Sequence, residues 1–337
     1  MPQVFALGDI MIDIIAHIPR YPRPGGDGIA QHVTIKSGGS AANTARALAR
    51  CGIDSGLIGR LGSDLFARQA WVALQAAGVD LAMVQQDDTQ SSGFMFITVT
   101  PDGQRTMIGY RGANVRTDPA QIDPGSIRRA RWLHISGYAL LQPPQADAAR
   151  QALDIARRAG LQTSLDPGLE AILDNRARVW AMLDQIDVLL PNEDELQALL
   201  KERLDSPARA ALHRQGIRLL ALKRGEKGCL LCDRENEIAV PAFPIEVVDT
   251  TGAGDAFAAG LIAGCLHGLD LAARGLWANA MGALAASARG AHMPDQDKLG
   301  TFLQRQRDHP NMSSWQRALD RVLDVLDDKS AATKCLS

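Results

Sequence analysis

The chain has 337 residues, 46% of them hydrophobic, which is enough for one large core or a core with a smaller appendage and does not require a string of domains. Its 36 Lys+Arg against 38 Asp+Glu give a net charge of -2, so nothing marks a polyanion-binding surface and nucleic acid is not an expected partner. Met1 to Ile15 is apolar, but Asp9 and Asp13 interrupt it and no Lys or Arg precedes Arg20, so it does not read as a signal peptide. No apolar run is long enough to span a bilayer, and a cytoplasmic protein with no membrane partner is expected.

Val4 to Ile10 predicts an opening strand. Ile14 to Ile35 then breaks any helical rhythm with Pro19, Pro22, Pro24, Gly25 and Gly26, and its end, Ile29 to Ile35, alternates like an antiparallel strand. Ser40 to Arg50 predicts an Ala-rich helix stopped by Gly52, Ser55 to Ile58 a strand, and Asp64 to Ala77 a helix ended by Gly78. Phe94 to Thr100 and Arg105 to Tyr110 flank the turn signal Pro101-Asp102-Gly103 and predict a hairpin. Trp132 to Ser136, Gln162 to Leu165, Val188 to Leu190 and Arg218 to Leu222 are short apolar strands separated by helix-length segments. Helices are predicted over Ala253 to His267, Leu271 to Ala288 and Trp315 to Leu326, and residues after Asp328 read as a frayed tail.

The alternation of strand and helix predicts an α/β fold with a mainly parallel sheet covered on both faces. The strands without helical partners predict a small separate β sheet, placed as a lid. The expected organisation is an α/β body over 1–13, 36–91 and 111–308, a lid over 14–35 and 92–110, and a C-terminal helix and tail over 309–337. Five scattered cysteines do not resemble a disulfide framework. Cys229 and Cys232 form a C-x-x-C on a strand, where they face opposite ways, and no second pair completes a zinc site.

The stretch Glu246 to Phe257 carries the chemistry: a strand end runs through two threonines and a Gly-Ala-Gly turn into an Ala-rich helix. Glycines let the N–H groups of Gly252, Ala253 and Gly254 converge, and a helix N-terminus adds partial positive charge, so the turn is a candidate anion site. Asp255 then sits where a phosphate would be close, either as the base that takes a proton from an attacking hydroxyl or as an acid that complements the helix dipole. A dinucleotide fingerprint would need a glycine where Phe257 stands, and a P-loop would need a Gly-Lys that occurs nowhere.

Asp249-Thr-Thr-Gly-Ala-Gly-Asp-Ala-Phe257 closely resembles the C-terminal signature of the ribokinase-like, or PfkB, carbohydrate kinases. Gly38-Gly-Ser-Ala-Ala-Asn43, Gly59-Arg-Leu-Gly-Ser-Asp64 and Pro191-Asn192-Glu-Asp-Glu195 resemble its other motifs, and the likeness runs from about Val4 to about Gln304. It implies ATP-dependent phosphorylation of a small sugar, with Asp255 as base and the Gly252 to Gly254 amides as the anion hole. By the same resemblance Asn192 and Glu195 help to hold Mg²⁺ and its waters. Asp13, at the end of the first strand, with Gly39 and Asn43, would hold sugar hydroxyls. Asn279 would contact the adenine, with Lys223 and Gly225 also on the nucleotide. Asp249 and Ala285 to Gly290 resemble a monovalent-cation site, which implies a response to K⁺, although Pro294 replaces a serine ligand.

Two departures bear on the substrate. Gly38-Gly-Ser-Ala-Ala-Asn43 differs from the ribokinase Gly-Gly-Lys-Gly-Ala-Asn, and Ala67 replaces a frequent glycine. Arg111, at the end of the second lid strand, could grip a carboxylate, and Lys223-Arg-Gly-Glu-Lys-Gly228 looks like kinases of 2-keto-3-deoxygluconate. Glu170 would repel such an acid, however, and Arg111-Gly-Ala-Asn114 resembles kinases of neutral sugars. The expectation is a neutral pentose or ketohexose such as ribose or fructose, phosphorylated at a primary hydroxyl. The alternatives are an acidic-sugar kinase, a nucleoside kinase, or a silent sensor, which the intact Asp255 argues against. A homodimer through Ile29 to Ile35 and Phe94 to Tyr110 is expected, because lid edges can pair with a second subunit.

Overall fold

The computed structural model describes residues 1–201 and 206–328, so the tail expected to fray after Asp328 lies outside them. In chain order the first elements are β1 (Val4–Leu7), β2 (Met11–His17), β3 (His32–Gly38), α1 (Ser40–Arg50), β4 (Ser55–Gly62), α2 (Leu65–Ala76), β5 (Val84–Asp87), β6 (Gly93–Val99) and β7 (Arg105–Tyr110). There follow α3 (Pro124–Arg129), β8 (Trp132–Ser136), α4 (Gln145–Arg158), β9 (Gln162–Asp166), α5 (Leu169–Ala181), β10 (Val188–Leu189), α6 (Glu193–Leu200) and α7 (Ser206–Gln215). The last are β11 (Leu219–Lys223), β12 (Cys229–Cys232), β13 (Glu237–Val240), α8 (Ala253–Leu266), α9 (Leu271–Ala286), α10 (Gln296–Arg307) and α11 (Gln316–Asp327).

Nine strands form one sheet in the order β13-β12-β11-β10-β9-β8-β1-β4-β5, parallel from β11 to β5 and antiparallel at the β12 and β13 edge. Alternation along each strand feeds two cores. Val4, Cys229 and Leu231 pack with Leu261, Leu276, Leu299 and Leu319 of α8 to α11, whereas Phe5, Leu7 and Cys232 pack with Leu153, Ile172 and Leu196 on the other side. The two cysteines of the C-x-x-C are therefore free thiols on opposite faces. Helix α8 is apolar on every side and buried from Ala256 to Gly264, because the sheet, α1 and α9 all press on it. Gly260 admits the α9 backbone: a Cβ there would lie 2.9 Å from Ala278 Cα. Truncating a fully buried leucine such as Leu261 would cost about 2–5 kcal/mol and would loosen the helix that presents Asp255.

Four strands form a second sheet, β3-β2-β6-β7, with β2 and β6 parallel and both outer pairs antiparallel. Here two expectations are corrected. The opening strand stops at Leu7, because Gly8 lies where a Cβ would meet the Cβ atoms of Ala41 and Ser136 at 2.9 Å each. Asp13 therefore belongs to β2 inside the lid sheet, not to the end of the first strand. The lid strand β3 runs His32–Gly38, later than Ile29 to Ile35. Ile10 and Ile12 are fully buried on either side of the change of sheet, so the apolar run continues through it.

Candidate active site

In an open parallel sheet, groups at the carboxyl ends of the strands share one crevice. Asp9 follows β1, Asp166 ends β9, Asn192 follows β10 and Lys223 ends β11, so topology alone gathers four polar residues at one rim. Helix α8 points its N-terminus at the same place.

Asp255 lies in the first turn of α8 and is half-buried. Its Oδ1 accepts from Ser40 Oγ at 2.7 Å and its Oδ2 from Asn43 Nδ2 at 2.8 Å, both in the first turn of α1. The carboxylate thus sits between two helix N-termini, whose partial positive charge favours its ionised form. Burial nevertheless raises its pKa above the ordinary carboxylate value, against the pull of those two hydrogen bonds.

Gly252 caps α8 at φ 78, and a Cβ there would lie 2.7 Å from Met293 Cε. The Ala253 N–H donates to the Thr250 carbonyl at 3.1 Å, closing the turn. This corrects the expected anion hole: Ala253 is engaged, and the N–H groups without an acceptor among the described residues are those of Gly252, Gly254 and Asp255. Lys223 Nζ lies 3.6 Å from where a Gly254 Cβ would be, so an ammonium faces this turn.

Lys223 Nζ is 2.6 Å from Asp166 Oδ2 and 4.0 Å from Glu195 Oε2. Burial alone would lower the lysine's pKa, but the two carboxylates turn the net shift upward. Burial raises the pKa of Glu195, Asp166 adds to the rise and Lys223 opposes it. Asn192 and Glu195 also form a reciprocal cap of α6, each side chain accepting from the other's N–H at 2.8 Å. The structural role of these two residues coexists with their place at the rim.

The Asp13 carboxylate accepts no hydrogen bond from the described residues, and Asp13 is 7% exposed. Burial lifts its pKa to about 6, with Arg46 opposing and the charges of Asp255 and Asp249 adding. Gly38 and Gly39 are required by close approach: a Cβ on Gly38 would collide with the Asp13 carboxylate, and one on Gly39, at φ 94, with the Asp9 carbonyl. Arg111 is corrected as a free grip for a substrate carboxylate. Its Nε and Nη2 form a fork on the two oxygens of Asp9 at 2.8 Å each, and Nη2 also reaches the Tyr138 carbonyl at 2.8 Å and Gln145 Oε1.

Asp249 is saturated from within the chain. Its Oδ1 accepts from Thr251 N–H, Thr251 Oγ1 and Arg105, and its Oδ2 from Gly290 N–H. The Arg289 carbonyl, in the stretch expected to hold K⁺, accepts from Lys36 Nζ at 2.7 Å.

A cavity of about 630 Å³ opens beside Lys223 and Gly254 and runs between Gly225, Phe243, Phe257 and Asn279. Asn279 lines it, but its Nδ2 donates to the Val240 and Pro241 carbonyls at 3.2 and 2.9 Å. A larger cavity of about 930 Å³, between Arg50, Arg131, Asp295 and Gln304, contains none of these site residues.

Sequence reasoning did not single out Ser40, Asp9 with Gln145, Asp166 or Arg105. Ser40 stands one helical turn before Asn43, and Asp166 ends a strand before Pro167-Gly168, signals that could have pointed to both. The pairing of Asp9 with Arg111 spans 102 positions and leaves no local trace.

Residues 1–298 match the pfkB family carbohydrate kinases. The chain is 34% identical to an ATP-dependent ribose-1-phosphate kinase of Halopiger xanaduensis over 91% of this chain and all of that protein. It is 31% identical to fructokinase-1 of Oryza sativa subsp. japonica over 86% and 93% of the two chains. An E. coli protein described as ribokinase II, solved with ATP and Mg²⁺, superposes with a TM-score of 0.81 at 27% identity over 90% of this chain and all of its own. The chain belongs to the pfkB family of carbohydrate kinases, phosphotransferases that bind ATP.

Proposed function

We propose that the protein transfers the γ-phosphoryl group of ATP to a primary hydroxyl of a neutral pentose or ketohexose, with Asp255 as general base. The observation that carries this reading is the setting of Asp255: a half-buried carboxylate, oriented by Ser40 and Asn43, beside open N–H groups at the start of α8. The base takes the proton of the attacking hydroxyl, while the amides of Gly252, Gly254 and Asp255 and the Lys223 ammonium meet the charge on the transferring group. The 630 Å³ cavity takes the nucleotide base between Phe243, Phe257 and Asn279, with the phosphates toward Lys223. Mg²⁺ is usually held by one or two carboxylates, substrate phosphates and waters. Asn192 and Glu195 at the rim, with Asp166 beside them, are the groups that would hold the ion and its waters. When bound, the ion offsets negative charge on the phosphates.

Asp13 and Asn43 hold sugar hydroxyls from the lid side and the α1 side, next to Gly39. Arg111 is neutralised by Asp9, which favours a neutral sugar over an acid. A response to K⁺ at Asp249 and the Ala285 to Gly290 carbonyls would act through groups that also take hydrogen bonds from Arg105, Gly290 N–H and Lys36, and comparing rates in Na⁺ and K⁺ tests it. The outer lid face aligns Ile35, Phe96 and Ile108, 44%, 36% and 58% exposed, and a second copy of the chain covers it. The lid, with its strands over 11–38 and 93–110, then serves both the dimer and the site.

ADP release measured with ribose, fructose and 2-keto-3-deoxygluconate, on the wild type and Arg111→Ala, tests the substrate class. Higher kcat/KM for a neutral sugar is expected. Preference for the acid, lost selectively in Arg111→Ala, would contradict it.

A further inference from the structure

We infer that Arg105 and Lys36 are positioning residues that clasp the lid sheet, from its two edge strands, onto the loop leading into α8, so that covering the sugar and shaping the phosphate turn are one event. This rests on the reading of the Gly252 turn as the phosphoryl site. Lys36 lies on β3 and Arg105 on β7, opposite edges of the lid. Register places them on one face with Asp13: Lys36 pairs with Asp13, Asp13 with Met95, and Arg105 with Val99, an even number of residues further along β6.

All three side chains of the loop that precedes Gly252 converge on one guanidinium. Arg105 Nη1 donates to Asp249 Oδ1 at 2.7 Å and to Thr251 Oγ1 at 2.6 Å, and Nη2 donates to Thr250 Oγ1 at 3.1 Å. Lys36 Nζ holds the Arg289 carbonyl at 2.7 Å. The two receiving segments are a single unit, since Gly290 N–H donates to Asp249 Oδ2 and the Val248 and Asp249 N–H groups both donate to the Ala286 carbonyl. Every residue of β7 is exposed, so packing does not account for where Arg105 reaches. A guanidinium fork can meet a carboxylate and two hydroxyls at once, whereas an ammonium is a point charge that cannot hold all three in this geometry. A lid fixed to the phosphate turn also excludes water from the reacting group.

The test combines steady-state kinetics with amide hydrogen exchange on the full chain for Arg105→Ala, Arg105→Lys and Lys36→Ala. Arg105→Ala is expected to raise the sugar KM by at least about tenfold and to speed exchange across 93–110, with ATP affinity changed less than about threefold. Arg105→Lys should fall between the wild type and Arg105→Ala, and Lys36→Ala should speed exchange on β3. Asp249→Asn added to Arg105→Ala should change the sugar KM no further, because the contact is already gone. Unchanged sugar KM and unchanged exchange in Arg105→Ala would overturn the clasp, as would a loss of kcat alone with both of these unmoved. Full turnover in Asp255→Asn would instead overturn the base assignment, and it would leave the exchange result standing.

Discussion

Asn43 Nδ2 donates to Asp255 Oδ2 at 2.8 Å across 212 positions of sequence, while the Asn43 Oδ1 accepts from Arg46 Nη2 at 3.2 Å. Arg46 in turn holds the Ala291 carbonyl at 2.7 Å. The amide is therefore oriented from both sides, with its donor end committed to Asp255. The same relationship lets the pKa of Asp255 be addressed by a single substitution.

Asn43→Asp replaces a donor by a like charge, which raises the pKa of Asp255 further. The acid limb of the kcat profile is expected to move to higher pH, with activity partly regained as the pH is raised. The profile of kcat against pH checks this, and an unmoved limb would disconnect Asn43 from the base.

Asp13 gives a stability signature. Its native pKa of about 6 lies above the ordinary carboxylate value, so between the two the native state binds more protons than the unfolded chain. Stability from this group is full below the unfolded pKa and is lost as pH rises to about 6. Asp13→Asn is expected to stabilise the protein at pH 8 by about 2 kcal/mol, with the gain fading toward pH 4, while sugar binding weakens. Urea unfolding at the two pH values measures it.

Two glycines of the turn at the start of α8 should respond differently to alanine. At Gly252 the left-handed backbone and the 2.7 Å approach of Met293 Cε make the substitution destabilising, by about 1–3 kcal/mol. At Gly254 the new methyl would meet Lys223 Nζ at an ordinary 3.6 Å, so the fold tolerates it. The methyl would fill space between the amides and the ammonium, and turnover is expected to fall at least about tenfold with stability within about 1 kcal/mol of the wild type. Melting and kcat on both variants separate the cases.

Lys223→Met removes the cation shared by Asp166 and Glu195. Loss of one partner of a buried pair is expected to destabilise by about 3–5 kcal/mol and to raise the ATP KM. Adding Asp166→Asn should restore part of the stability but not the nucleotide affinity. Denaturant titrations of the single and double variants check the coupling.

Much of the fold was legible because its strands and helices are set by local pattern: Arg105 to Tyr110 in the lid, and Trp132 to Ser136 and the α8 start at Ala253 in the body, all fall where periodicity and turn residues put them. The break after Leu7 was hidden, since Ile10 and Ile12 stay buried as the chain changes sheets, and periodicity registers burial but not which sheet is entered. Asp255 could be nominated from sequence because the Gly252 to Gly254 turn is contiguous with it. Its contacts with Ser40 and Asn43, the Asp9 fork on Arg111 and the Asp166 contact of Lys223 depend on tertiary approach, so local pattern could nominate Ser40, Asn43 and Asp166 but not pair them with their partners.

The central claim is that Asp255 takes the proton of the attacking hydroxyl, and the most direct measurement is turnover by Asp255→Asn alongside its affinity for ATP. Nucleotide affinity close to that of the wild type is expected, with kcat lowered by about two to four orders of magnitude. Turnover within about tenfold of the wild type would contradict the assignment of Asp255 as the base.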